Sequence, residues 1–389
     1  MSEKGYKMEK TIAVLGATGS VGQQALEVAA SRGYRVDYLT AASNVGAMEN
    51  LARRFKPRAV NMTDPAAAAA LKRALADTDV RVTSGKSALL DGIAESAADV
   101  VVNSILGGAG LLPTLATIDA GRRLALANKE SLVMAGSEVM SRAAARGVEI
   151  IPVDSEHSVI FQCLKSGRQS EIKRILLTAS GGPFFGRSRE ELRRVTVADT
   201  LAHPTWRMGR KITVDSATLM NKGFEIIEAT HLFGVESDAV EVLVHRESIL
   251  HSAIEYLDNT VIGQMSLPDM RMCVQYAVDY PCRMPSASAA LDLFSVGSLS
   301  FARPDAEAFP LLSLARRAIA AGGATPAVMN AADEIAVEAF LTERIGFYGI
   351  SDLVCATVEK LSAAKNAHSV DEILAYDKEA RAVAKSLIK

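Results

Sequence analysis

Four short stretches of the sequence hold side chains of the kind that bind ions or move protons. In Asp154-Ser155-Glu156-His157 two carboxylates stand two residues apart, behind the apolar Ile151-Pro152-Val153. At the end of a strand that spacing turns both to one side, and two hard oxygen donors so placed suit Mg2+ or Mn2+. At a helix start the same acids would complement the dipole, and the segment by itself leaves the two readings even. The second stretch, 215–233, sets Asn221, Lys222 and Glu225 on one helical face. Leu219, Gly223, Ile226 and Ile227 form an apolar stripe there, and Ser216 reads as the N-cap. Taken alone, that polar face is a solvated Lys–Glu surface. The third, 181–210, opens Gly181-Gly182-Pro183-Phe184-Phe185 and closes on His203 to Arg210, with the only tryptophan, Trp206, and Met208 beside the histidine. Glycine and proline at both ends suit a hinged lid that excludes water; an ordinary loop with one tucked aromatic is the plainer alternative. The fourth, Asn128-Lys129-Glu130, follows a strand-like run and places a lysine where an anion would lie, or else is a polar helix start.

These groups need a frame, and the first part of the chain supplies one. Thr11–Leu15 is a short β-branched run followed by Gly16, Gly19 and Gly22 and then a helical stretch. That is a variant of the dinucleotide fingerprint: glycines let the backbone approach a pyrophosphate, and the helix N-terminus offers N–H groups to it. Strand-like runs recur at 36–40, 59–62, 80–83, 100–103 and 124–127 with helical patterns between them, which predicts a parallel sheet. Ala41-Ala42-Ser43-Asn44 after the second strand has no acid to bind a ribose 2′-hydroxyl, which favours NADP over NAD, although no arginine stands there for the phosphate.

The expected fold class is α/β. A Rossmann-like NADPH-binding domain spans 1–150, and an α+β domain, the candidate catalytic and metal-binding one, spans 151–280, with strands at 172–179, 241–244, 252–256 and 261–265 and the candidate lid at 181–210. A linker covers 281–309, and a C-terminal helical bundle covers 310–389. Thr325-Pro326 reads as N-cap and first helical residue, and Ser369 with Glu372 as a capping box.

Composition narrows the function classes. The 389 residues carry 43 Lys and Arg against 45 Asp and Glu, so no basic field exists for nucleic acid. The four scattered cysteines form no CxxC pair, so reduced, buried thiols are expected rather than disulfides or zinc. No apolar run is long enough to span a membrane, and Met1–Lys10 lacks the apolar core of a signal peptide, so a cytoplasmic protein is expected.

Taken together, GATGSVG, LANKESLV, PVDSEH, TASGGPF, HPTWRMGRKITVDSATLMNKGFEIIEA and LPDM resemble the 1-deoxy-D-xylulose 5-phosphate reductoisomerase family, in that family's order. Asn330-Ala331-Ala332-Asp333-Glu334 in the helical part fits it too. The resemblance implies NADPH- and metal-dependent conversion of 1-deoxy-D-xylulose 5-phosphate to 2-C-methyl-D-erythritol 4-phosphate, in non-mevalonate isoprenoid synthesis. It implies a homodimer, and inhibition by fosmidomycin-type phosphonates. Carried onto this chain, the metal ligands are Asp154, Glu156 and Glu225. Lys129, Ser155, Glu156, Ser180, His203, Ser216, Asn221, Lys222 and Glu225 contact substrate, with Lys129, Asp154, Glu156, His203 and Glu225 the catalytic set. Thr18, Gly19, Ser20, Val21, Asn128, Glu130 and Gly209 contact the cofactor, and Trp206 and Met208 belong to the lid. One departure matters: Ala42-Ser43 replaces a Gly-Lys pair found in some members, which leaves Asn44 and backbone N–H groups to meet the 2′-phosphate. Two other readings compete. A semialdehyde dehydrogenase would need Cys163 as nucleophile, yet that residue sits in an apolar helical run. A non-catalytic redox sensor would need no metal site at all.

Overall fold

The structure, a computed structural model, describes residues 10–388 except Arg207, Ala287 and His368. Two compact units form among the described residues: 10–128, 141–158 and 269–289 make the first, and 129–140, 159–268 and 290–388 the second.

In the first unit seven strands form a parallel sheet: β1 (Thr11–Leu15), β2 (Arg35–Ala41), β3 (Ala59–Met62), β4 (Arg81–Ser84), β5 (Val100–Asn103), β6 (Arg123–Leu126) and β7 (Ile150–Pro152). Their order is β4-β3-β2-β1-β5-β6-β7. The direction of winding reverses between β1 and β5, the position at which doubly wound sheets open a ligand crevice. The central strands β1 and β5 read as nearly continuous apolar runs because helices cover both faces: Val100, Val101 and Val102 of β5 are at most 1% exposed, whereas no residue of the edge strand β4 is buried. Burying each such side chain contributes roughly 1.5–3 kcal/mol. The Met270–Asp279 helix belongs to this unit as well, packing on the Ser20–Arg32 helix and on β6 and β7. Arg123 fastens its end by donating to the Tyr280 carbonyl at 2.8 Å, and Tyr34 donates to Asp279.

The second unit has a four-stranded mixed sheet of β8 (Ile172–Ala179), β9 (Val240–Val244), β10 (Leu250–Tyr256) and β11 (Val261–Met265), in the order β11-β10-β8-β9. Only β8 and β9 run parallel, as expected for strands joined by a helical crossover. Helices Pro310–Ala321, Thr325–Leu341, Phe347–Lys360 and Val370–Leu387 follow, and share one apolar core with β8, β9 and the Met220–Phe233 helix. Gly223 of that helix lets Ala315 approach: a Cβ there would lie 2.7 Å from the Ala315 methyl.

Strand limits differ from the sequence reading by a residue or two, the usual uncertainty at element ends. The Ser369–Glu372 capping box forms as expected. Two caps do not. Thr325 is the first helical residue rather than the N-cap, which falls on Ala324. Ser216 lies inside a separate helix, Arg210–Thr218, because the chain bends at Leu219 before the Met220–Phe233 helix begins. All four cysteines are free, with Cys163 buried and the others half-buried. Among the described residues no helix is long and apolar enough to cross a membrane.

Candidate active site

The glycine turn is set by close packing at the sheet's reversal. Gly16 adopts φ +80°, and a Cβ there would lie 2.8 Å from the Ser104 carbonyl oxygen beyond β5. A Cβ on Gly22 would lie 2.3 Å from the Gly16 carbonyl oxygen, so this glycine lets the helix start against the turn. Gly19 is different: it caps the helix, is exposed, and a Cβ would meet only Gly16 O at 3.3 Å. Its missing side chain leaves the helix N-terminus open, with Thr18, Ser20 and Val21 at the same mouth, Thr18 and Val21 half-buried and Ser20 exposed. The Gly16 N–H is held by Thr40 Oγ1 at 3.1 Å and Ala17 N by the Thr40 carbonyl at 2.8 Å, so β2 fixes the turn. Asn44, exposed, caps the Val45–Phe55 helix by accepting from Ala47 N at 3.1 Å, so only its Oδ1 is engaged in that cap. Asn128 is buried and braces the loop after β5, donating to the carbonyls of Ile105 at 2.7 Å and Gly107 at 2.9 Å.

Asp154 follows β7 and stands at the start of the Ser155–Cys163 helix, so the helix-start geometry is the one that forms. Its Oδ1 accepts from Glu156 N at 3.2 Å and faces His157 Nδ1 at 3.0 Å. Ser155 donates to Glu156, and both acids are half-buried at an end where a helix favours negative charge. Cys273 lies near them: burial first, then the Asp154 charge, push its thiol up to about 12, which keeps it protonated and inert.

In the second unit the polar face of the Met220–Phe233 helix, which taken alone reads as solvated, is buried. Glu225 is 1% and Lys222 4% exposed. Glu225 Oε1 accepts from Lys129 Nζ at 3.0 Å and from Asn221, while Lys222 donates to Oε2. Lys129 also donates to Asn221 Oδ1 at 2.8 Å, and Glu130 beside it is buried at the head of the next helix. A carboxylate this enclosed requires its cations, since removing one partner of a buried pair leaves an uncompensated charge.

Ser216 is half-buried near the end of its helix. Leu219, at φ +58°, turns the chain from this helix into the next, a conformation costly for a residue with a Cβ. Gly182, at φ +62°, packs against the same point: a Cβ would lie 2.9 Å from the Ser216 carbonyl oxygen. Two residues before it, Ser180 Oγ lies 3.0 Å from His203 Nε2. His203 Nδ1 accepts from the backbone N–H groups of Thr205 at 3.2 Å and Trp206 at 3.0 Å. Burial holds the His203 pKa below its usual value, so the imidazole is neutral, its proton sits on Nε2, and Ser180 receives it. Trp206 leans on His251, the ring centroids 6.2 Å apart, while His251 Nε2 meets the Ser266 carbonyl at 3.1 Å. The 181–210 stretch is not a loop throughout. Short helices Arg189–Leu192 and Val197–Leu201 stand in it, each with a reciprocal cap, and Phe184 and Leu192 are core residues. His203 to Gly209, where described, are irregular, and Gly209 is the exposed N-cap of the Ser216 helix.

The sequence reading missed three partners: His157 beside Asp154, His251 under Trp206, and Lys211 with Asp333 behind Ser216. His157 had a local signal, three residues from the acid on a helix, whereas the other pairings join distant segments. Cys163 is 4% exposed and its carbonyl accepts from Tyr256 Oη at 2.9 Å, a core position that no substrate reaches.

A doubly wound sheet with a glycine turn at its reversal, in one chain with a unit rich in buried carboxylate, ammonium and imidazole groups, defines a dinucleotide-dependent oxidoreductase. Family profiles described as 1-deoxy-D-xylulose 5-phosphate reductoisomerase match residues 12–136 and, for the C-terminal domains, 150–233 and 265–383. The chain belongs to the 1-deoxy-D-xylulose 5-phosphate reductoisomerase family. A reductoisomerase of Acetivibrio thermocellus is 47% identical over 382 residues, covering 98% of this chain and all of that one. One from Afipia carboxidovorans is 46% identical, covering 98% and 94%. The solved Zymomonas mobilis enzyme in complex with NADPH superposes with TM-score 0.91 at 42% identity, covering 98% of this chain and 100% of that one. A reductoisomerase bound to NADPH, fosmidomycin and magnesium gives 0.92 at 39% identity, covering 97% and 98%.

Proposed function

We propose that this protein converts 1-deoxy-D-xylulose 5-phosphate to 2-C-methyl-D-erythritol 4-phosphate, with NADPH and Mg2+ or Mn2+, in isoprenoid precursor synthesis. Membership of the family over nearly the full length carries this reading. The residues fit both groups. A Cβ on Gly16 or Gly22 would strike neighbouring backbone, so glycine there keeps the turn tight, and Gly19 leaves the helix N-terminus open to a pyrophosphate. Asp154, Glu156 and Glu225 are the hard oxygen donors that a divalent cation selects.

The bound cation supplies Lewis acidity at the substrate's oxygens and the bound NADPH supplies the hydride. The chain's own groups do the rest. Asp154 and Glu156 on one helix start, with Glu225, are assigned as the metal ligands. Lys129, an ammonium held by Asn221 and Glu225, orders the substrate's reacting oxygens. Ser155 joins it as a substrate contact. Ser180, Ser216, Asn221, Lys222 and neutral His203 hold the phosphate with hydroxyl, amide, ammonium and imidazole donors. The 202–209 segment, Trp206 and Met208 included, excludes water when it covers the sugar, and phosphate binding is the remote contact that drives closure. Thr18, Gly19, Ser20, Val21, Asn44, Asn128, Glu130 and Gly209 are assigned to the cofactor.

The protein is read as a cytoplasmic homodimer. The edge strand β11 supports the dimer, with Val261, Met265 and the adjoining Leu257 exposed where an unpaired edge invites a second copy. Mixing protein, NADPH, Mg2+ and 1-deoxy-D-xylulose 5-phosphate and following loss of nicotinamide absorbance tests the activity. No loss with folded protein overturns it.

A further inference from the structure

Behind Ser216 lies a charge cluster that the reaction described above does not use. Lys211, in the first turn of the Arg210–Thr218 helix, extends its ammonium to two acids. Asp215 Oδ2 on its own helix is 2.7 Å away, and Asp333 Oδ2 on the Thr325–Leu341 helix is 2.9 Å away. The same ammonium stands 4.9 Å from the centre of the Phe224 ring, in the helix that bears Glu225. Asp215 is 2% and Asp333 0% exposed. Their second oxygens, both Oδ1 atoms, have no hydrogen-bond partner among the described residues.

This arrangement is expensive. One ammonium serves two enclosed carboxylates, and Glu130 adds a further negative charge nearby. Burial first, and then the Asp333 charge, hold the Asp215 carboxyl well above the usual range. Burial works to lower the Lys211 pKa, but the two aspartates outweigh it and raise it. Well-packed apolar residues would fill such a place at least as stably, so stability alone does not account for the cluster.

Its position does. The Arg210–Thr218 helix has no side-chain N-cap: it begins at Gly209, directly after the irregular segment that carries His203 and Trp206. It ends at the Leu219 bend, beyond which Asn221 opens the next helix. Ser216 is the neighbour of Asp215. The Lys211–Asp333 bond ties this helix to the C-terminal helices, and buried Val214 and Ala217 lie in the apolar core the two share.

We propose that Lys211, Asp215 and Asp333 are positioning residues for the substrate phosphate: two buried carboxylates grip one ammonium, and so lock the Ser216 helix onto the C-terminal helices with Ser216 and Asn221 in place. Asp333 touches no substrate and acts through Lys211. The inference rests on the reading of Ser216 and Asn221 as phosphate contacts.

The test uses the full-length enzyme with Mg2+ and NADPH, and compares Asp333→Ala, Asp333→Asn, Lys211→Met and Ser216→Ala. Ser216→Ala checks the underlying reading, and an unchanged KM for 1-deoxy-D-xylulose 5-phosphate there removes that reading and the proposal with it. With that arm positive, Asp333→Ala raises this KM by about tenfold, the scale expected when binding groups are displaced by a fraction of an ångström. The same variant weakens fosmidomycin binding by the same factor and leaves the KM for NADPH as it was. Asp333→Asn restores the wild-type KM, because an amide oxygen still accepts from Lys211. An Asp333→Ala enzyme with wild-type substrate KM overturns the proposal. So does one whose substrate KM, NADPH KM and melting temperature all change together without rescue by asparagine, the pattern of a merely structural residue. If Asp333→Ala does not fold, Lys211→Met decides by the same criterion.

Discussion

Lys129 and Glu225, 96 residues apart in sequence, meet at 3.0 Å in the interior of the second unit. Lys129 follows β6 directly after Asn128, and Glu225 comes from the middle of a helix whose polar side, read alone, belongs to solvent. Their meeting places that side in the interior.

Replacing Glu225 with glutamine tests this directly. The variant keeps the shape but loses the charge that Lys129 and Lys222 enclose and that a cation would need. Turnover is expected to fall by about a hundredfold or more, while fluorescence titration gives an NADPH affinity near that of the wild type. Wild-type turnover in a folded variant would remove Glu225 from the metal site.

The glycines of the first turn make separable predictions. Gly22→Ala forces a methyl onto the Gly16 carbonyl oxygen, at a cost of about 1–3 kcal/mol, and lowers the melting temperature. Gly19→Ala meets only one atom, at 3.3 Å, so stability changes little, yet the methyl stands where a pyrophosphate must approach. Its expected signature is a raised NADPH KM with an unchanged melting temperature. If both variants bind NADPH like the wild type, the cofactor lies elsewhere.

His203 gives the segment before Gly209 a pH dependence. Burial depresses its folded pKa, so the neutral form is favoured and its contribution to stability is full above the unfolded value of about 6.5. As pH falls through the folded value the ring takes a second proton, Nδ1 becomes a donor facing two backbone donors, and the contribution is lost. Trp206 emission in the free protein should therefore titrate with a midpoint below about 6.5, and His203→Gln should abolish that transition. A midpoint above this value contradicts the assignment.

Trp206 also reports on closure. It rests beside His251, and fosmidomycin binding in the presence of Mg2+ is expected to change its emission. Binding seen by calorimetry with no spectral change would argue that the segment does not move over the ligand.

Much of this site was legible because its signals are local. Gly16, Gly19 and Gly22 announce a turn by their spacing, and the strand runs of the first unit announce a parallel sheet by their continuous apolar character. The acids Asp154 and Glu156 were legible as a pair, but not their place on a helix rather than a strand, since three-residue β7 is too short to leave a pattern. The break at Leu219 was hidden, because nothing in the sequence of a leucine marks a left-handed backbone. The His203–Ser180 contact and the Lys211–Asp333 bond were beyond reach, for each depends on how separate segments pack. The polar face of the Glu225 helix was ambiguous alone, since burial is a property of neighbours.

The bend at Leu219 has a mechanical meaning. Ser216 near the end of one rod, and Asn221, Lys222 and Glu225 near the start of the next, are joined through a single stiff joint rather than a slack tether. A shift of one set is carried to the other, because the joint has little freedom of its own.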